Sequence, residues 1–124
     1  MKFIFLTVLI VCGTYSSHSK RKCCSYPALD SITSASVSKD HFKCSEKIHL
    51  TCEKKDNYVA AAFIYNYTKG DKQTATGMEG EKVDLDIRCD RKSGLWRNFK
   101  PKGSKFYKSY GCTFMTEHGV WVIE

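Results

Sequence analysis

The sequence predicts an all-β fold, a small disulfide-braced antiparallel β-sandwich of possible immunoglobulin-like architecture. Three observations carry that expectation. From Glu46 onward several stretches alternate apolar and polar residues with a period of two. Turn-forming tracts such as "TKGDK", "MEGEK", "RKSG", "PKGSK" and "EHG" separate them. No segment shows sustained helical periodicity bounded by a cap and a stop. Five to seven short strands in a chain of 124 residues suit two packed sheets.

The first residues set the compartment. Met1 and Lys2 precede the apolar run "FIFLTVLIVCG" (Phe3 to Gly13), and the polar "TYSSHSKRK" follows. Such a run is shorter than the roughly 20 apolar residues that span a bilayer. Residues 1–19 therefore read as a signal peptide, cleaved somewhere between Gly13 and Ser19, and no transmembrane segment is expected. Of the seven cysteines, Cys12 lies in the apolar run and leaves with it. Cys23, Cys24, Cys44, Cys52, Cys89 and Cys112 remain, and an even set in a short secreted chain reads as a disulfide framework. Residues 20–124 then make a single six-cysteine β domain of a secreted, extracellular protein.

Lys20 to Cys44 is Ser-rich and punctuated by Pro27. It predicts an irregular segment pinned by Cys23 and Cys24, with a short strand near Ile32. In "EKIHLTCE" Ile48, Leu50 and Cys52 share one face, and Lys47, His49, Thr51 and Glu53 share the other. "NYVAAAFIYNY" is apolar on both faces, as expected of a central, doubly covered strand. "EKVDLDIRC" points Val83, Leu85, Ile87 and Cys89 inward and Lys82, Asp84, Asp86 and Arg88 outward. "SKFYKSYGCTFM" and "GVWVIE" supply two more strands rich in aromatic and branched residues. Cys52 and Cys89 share inward parity, which favours a buried bridge between them. Vicinal Cys23 and Cys24 should diverge to different partners, because a bridge between neighbours strains the usual Cα separation.

The order "CC" at 23–24, "CSEKIHLTC" at 44–52, "VAAAFIYN", "VDLDIRCDRKSGLW" at 83–96 and "YGC" at 110–112 resembles the six-cysteine domain of nematode secreted proteins. The likeness covers essentially the whole mature chain as a pattern. It departs where Leu95 separates Gly94 from Trp96, and in the long, basic interval from Trp96 to Cys112. The resemblance implies an extracellular module with three disulfides and brings no activity or functional residues. A sushi-like module also places a Trp before its final cysteine, but six cysteines and the missing "P-x-C" ending argue against it.

No catalytic motif stands out, and the chain is read as a non-enzyme. "CCSYPALD" lacks the His of a secreted phospholipase, and the "CKxxNTF" of a pancreatic-type ribonuclease is absent. His41 and His118 could pair as base and acid, but they read better as loop and turn residues. His49 falls on the outward face of its strand. No G-x-S-x-G elbow occurs. Neither metal nor cofactor is expected, since the cysteines lack C-x-x-C pairs and an oxidising compartment favours bridges. Asp84 and Asp86 are expected to ion-pair on the sheet surface beside Lys82 and Arg88. "NYT" at Asn66 is an N-glycosylation sequon leading into a turn.

The formal net charge is +7, and much of the excess is local. Arg91, Lys92, Arg97, Lys100, Lys102, Lys105 and Lys108 lie within eighteen residues that contain no acid. Trp96 is expected to plug the core, while Phe99, if exposed, could stack on a sugar or base. Such a field attracts sulfated glycans or other anionic surfaces, with Arg suited to bidentate contact and Lys acting as a point charge. Nucleic acid is the less favoured partner, since no RNA-binding signature occurs. The functional expectation is an extracellular binding protein. The alternative is a small secreted effector, antimicrobial or hydrolytic, acting on anionic surfaces.

Overall fold

A computed structural model describes residues 21–67 and 73–123. The expected signal peptide, and Thr68 of the sequon, lie outside the described residues. Among the described residues nine strands follow in chain order: β1 (Ser34–Ala35), β2 (Lys47–Glu53), β3 (Ala60–Asn66), β4 (Gln73–Gly80), β5 (Lys82–Asp90), β6 (Leu95–Lys100), β7 (Lys102–Tyr107), β8 (Ser109–Met115) and β9 (Trp121–Ile123). They form a five-stranded sheet of order β1-β2-β5-β6-β7 and a four-stranded sheet of order β4-β3-β8-β9, with every named pair antiparallel. The all-β, disulfide-braced sandwich is the observed architecture. No helix among the described residues is long and apolar enough to cross a membrane.

The alternation read from the sequence becomes the wall of the core. Ile48, Leu50 and Cys52 of β2 and Leu85, Ile87 and Cys89 of β5 are buried, facing Ala61, Phe63, Tyr110, Cys112 and Phe114 of the other sheet. β3 is buried along nearly its whole length between β4 and β8. Trp96 plugs the core opposite Cys89, and its indole N–H donates to the Ser25 carbonyl at 2.8 Å. Asn98 is a buried polar exception: its amide donates to the Tyr65 hydroxyl at 3.1 Å, and the Tyr110 hydroxyl donates back to it at 2.8 Å. A buried amide is tolerable when so satisfied.

The disulfides correct the expected Cys52–Cys89 pair. Cys52 is joined to Cys112, Cys24 to Cys89, and Cys23 to Cys44. Shared parity put Cys52 and Cys89 on one face, but β2 and β5 run antiparallel, with Cys52 opposite Val83. Cys89 is six residues farther along, about 20 Å away at the usual rise per residue. The bridge between the sheets is therefore Cys52–Cys112, from β2 to β8. The vicinal cysteines diverge as expected and pin the N-terminal segment at two places. That segment also borders β8, where the Tyr110 N–H donates to the Pro27 carbonyl and the Leu29 N–H to the Tyr110 carbonyl.

Two expectations about strands need revision. "SKFYKSYGCTFM" is not one strand: it changes sheets at Lys108, giving β7 on one side and β8 on the other. "PKGSK", where a turn was expected, instead leads from β6 through Pro101 into the first half of β7. Gly94, at φ +78°, closes the β5–β6 turn in a conformation that glycine adopts without steric cost.

Candidate functional site

The strand registers redistribute the basic run. Arg91 and Lys92 sit in the β5–β6 turn, at the opposite end of that hairpin from Lys100 and Lys102. Arg91 is engaged by the fold itself: its Nε donates to the Lys22 carbonyl at 2.9 Å, and its guanidinium lies 3.9 Å from Glu46. Lys108 stands where the chain crosses between sheets, with its N–H donating to the Asn66 carbonyl. Lys105 lies exposed on the edge strand β7. The seven residues do not form one patch.

Lys102 pairs with Phe99 inside the run, whereas Lys100 lies opposite Asp86 and Arg97 opposite Arg88, residues that the linear run does not contain. Lys47, Arg88, Arg97 and Phe106 are successive partners across β2, β5, β6 and β7, forming one row on the outer face of the five-stranded sheet. With strands about 4.8 Å apart, Lys47 and Arg97 lie about 10 Å apart at the backbone. Like charges opposite one another destabilise a sheet, and here three stand in succession. Among the described residues none of the three is ion-paired. They lie over aromatic rings: Arg88 Cζ is 4.2 Å and Lys47 Nζ 5.7 Å from the Phe99 centroid, and Arg97 Cζ is 6.0 Å from that of Phe106. Ring faces attract cations without neutralising them, so the charge stays available. Phe99 and Phe106 are 39 % and 37 % exposed, a large apolar expenditure on a solvent face.

The acids of this face are occupied elsewhere. Asp84 and Asp86 were expected to pair with Lys82 and Arg88, yet both turn to His49 across β2. His49 Nδ1 is 2.5 Å from Asp86 Oδ1, and Nε2 is 3.1 Å from Asp84 Oδ1. The Thr51 hydroxyl donates to the same Asp84 oxygen at 2.7 Å. Two carboxylates on two ring nitrogens favour the imidazolium, so the His49 pKa is raised, first by the Asp86 hydrogen bond and against partial desolvation. The Asp84 carboxyl is held below its ordinary value, chiefly by Thr51. One row from the three cations, this clasp holds Asp84 and Asp86, while Asp90 is bound by Ser93 and lies within the field of Arg97.

A shallow depression of about 500 Å³ opens beside the row, lined by Arg97, Lys102, Gly103, Ser104 and Phe106. Another, of about 430 Å³, lies between the N-terminal segment and the end of β2, and Asp30, Glu53, Lys54 and Lys55 give it mixed charge. Of these two, only the first gathers a single sign of charge around an exposed ring.

His41 lies in a short 3-10 turn with its Nδ1 2.8 Å from the Ser38 hydroxyl, and His118 is exposed in the β8–β9 turn beside Glu117. Among the described residues no group of three or more His, Cys, Asp or Glu side chains could hold a metal ion. The Asn66 amide nitrogen, which would carry a glycan, donates to the Ser109 hydroxyl at 2.7 Å on a half-buried side chain. Lys47 and Arg88 were missed as site residues because period-two alternation marks them only as outward-facing. No family model, no curated protein and no solved structure matches this chain.

Proposed function

We propose that the protein is a secreted, non-enzymatic module that binds an anionic extracellular partner, a sulfated glycan, through the outer face of its five-stranded sheet. The observation that carries this reading is the row Lys47–Arg88–Arg97 with no ion-pair partner among the described residues and with Phe99 and Phe106 beneath the cations. Three disulfides suit an oxidising compartment, and the six-cysteine pattern supports the same compartment. Guanidinium groups on a flat face meet sulfate oxygens in bidentate fashion, and a linear polyanion crosses several strands at once.

Heparin-column retention tests the reading. The oxidatively folded mature protein is compared with a Lys47→Ser, Arg88→Ser, Arg97→Ser variant and with a Lys92→Ser, Lys105→Ser, Lys108→Ser variant of equal charge. The face predicts that the first variant elutes at much lower salt and the second close to the parent. Equal shifts would reduce the interaction to net charge. Early elution of the parent would end the proposal.

A further inference from the structure

We infer that the depression between β6 and β7 is a subsite for one sulfated sugar ring, seated on Phe106 with its sulfate between Arg97 and Lys102. The inference rests on the glycan-binding reading and adds the place and chemistry of a specific contact. A charged sheet alone would attract any polyanion, whereas this corner has a shape.

Three features make that shape. The register shifts on both sides of β6, between Asp86 and Ile87 of β5 and between Arg97 and Phe99 towards β7. Such irregularities twist an edge and re-aim side chains, and they gather at binding sites. Gly103 lets β7 close onto β6, because a Cβ there would lie 3.2 Å from Asn98 Cβ. With Ser104 beside it, no long side chain fills the hollow. Its volume of about 500 Å³ falls within the range of small-ligand clefts, about 300–1,000 Å³.

The lining then selects the ligand. Phe106, 37 % exposed at the rim of the hollow, offers apolar area suited to the apolar face of a pyranose beside the Arg97 guanidinium, 6.0 Å from its centroid. Arg97 is placed at the ring by its register with Phe106, and Lys102 stands opposite Phe99 on the same side. A fork and a point charge on one side of a ring match an oxyanion ester carried by that ring. Asp84 and Asp86 are held by His49 and Thr51, and Asp90, the acid nearer Arg97, by Ser93.

Calorimetric titration with a heparin-derived hexasaccharide tests this, using Phe106→Ser and Phe106→Tyr variants of the mature protein. Phe106→Ser should weaken binding about tenfold through lost ring contact, while the slope of affinity against salt stays unchanged because no charge is removed. Phe106→Tyr keeps the ring and should bind within about twofold of the parent. The desulfated hexasaccharide should bind at least about tenfold more weakly than the sulfated one, and inorganic sulfate should compete poorly. The subsite is overturned if Phe106→Ser binds like the parent, if Phe106→Tyr fails as Phe106→Ser does, or if desulfated sugar or free sulfate does as well. Tighter binding of a single-stranded oligonucleotide would replace the sugar with a nucleic acid. If the parent binds and only Lys47→Ser and Arg88→Ser weaken it, while Phe106→Ser does not, the subsite fails and the face reading stands. If the parent does not bind, both fail.

Discussion

Removal of the Cys52–Cys112 bridge tests the architecture where the two sheets are tied. Its ends lie 60 residues apart in sequence, and closing that loop in the unfolded chain is worth about 4 kcal/mol on the chain-entropy relation. The same relation gives about 3 kcal/mol for Cys23–Cys44, whose ends are 21 residues apart. The native state widens the gap. Cys52 and Cys112 are fully buried, so replacing both with Ala also strips packed sulfur from the core, at about 1 kcal/mol or more. Cys23 is exposed, so its bridge leaves a smaller void. Paired Cys52→Ala, Cys112→Ala should therefore lose about 5 kcal/mol, against about 3 kcal/mol for Cys23→Ala, Cys44→Ala. Domains of this size are stable by only about 5–15 kcal/mol, so the first variant should lose at least about a third of its stability. Urea denaturation of the oxidatively folded proteins measures both. The reasoning fails if the peripheral pair costs as much as the buried pair, or if a non-reducing digest finds Cys52 joined to Cys89.

Asn98→Leu should cost about 2 kcal/mol in urea denaturation, because it takes from the Tyr110 hydroxyl the buried amide oxygen to which it donates; a change under about 0.5 kcal/mol would contradict that. Gly111→Ala would set a Cβ 2.8 Å from the Ser31 hydroxyl, which accepts the Cys112 N–H, and should cost about 1–3 kcal/mol. The check is thermal unfolding with Ser31→Ala added, which should recover part of the loss. For His49 the raised pKa means a stabilising contribution that is full below 6.5 and disappears as pH rises through the folded value. Asp84, with a lowered pKa, contributes above 3.8 and loses its share as pH falls through its folded value. The clasp therefore stabilises most between those two ordinary values. His49→Asn should flatten stability against pH as it rises from 6.5, and an unchanged pH profile would rule the clasp out as its cause.

The parity of β2 and β5 was legible because both strands have one wet face and one dry face. Ile48, Leu50, Leu85 and Ile87 announce the core by spacing alone. Parity does not encode direction, which is why Cys52 and Cys89 looked like partners while lying at opposite ends of an antiparallel pair. β4 was invisible, since "QTATGMEG" carries neither branched residues in number nor clean alternation. The basic stretch was conspicuous as a run, but a surface is assembled across strands. Lys47 and Arg88 stand far from Arg97 in sequence and beside it in the sheet only through registers set by the whole hairpin order. Asp84 and Asp86 looked like natural partners for Lys82 and Arg88 along one strand, yet the imidazole across the ladder, with two nitrogens to offer, took both.

The change of sheet at Lys108 places the proposed contact and the inter-sheet bridge on one covalent track. Phe106 lies on β7 and Cys112 on β8, with the crossing between them. A pull on β7 from a tethered chain would therefore run along the backbone into β8 and be resisted through Cys112 at Cys52, back inside the five-stranded sheet to which β7 belongs. An edge hairpin ending in a free loop would unzip under the same pull, one ladder bond at a time. Here the outermost strand is the near end of a cable whose far end is clamped in the middle of the body.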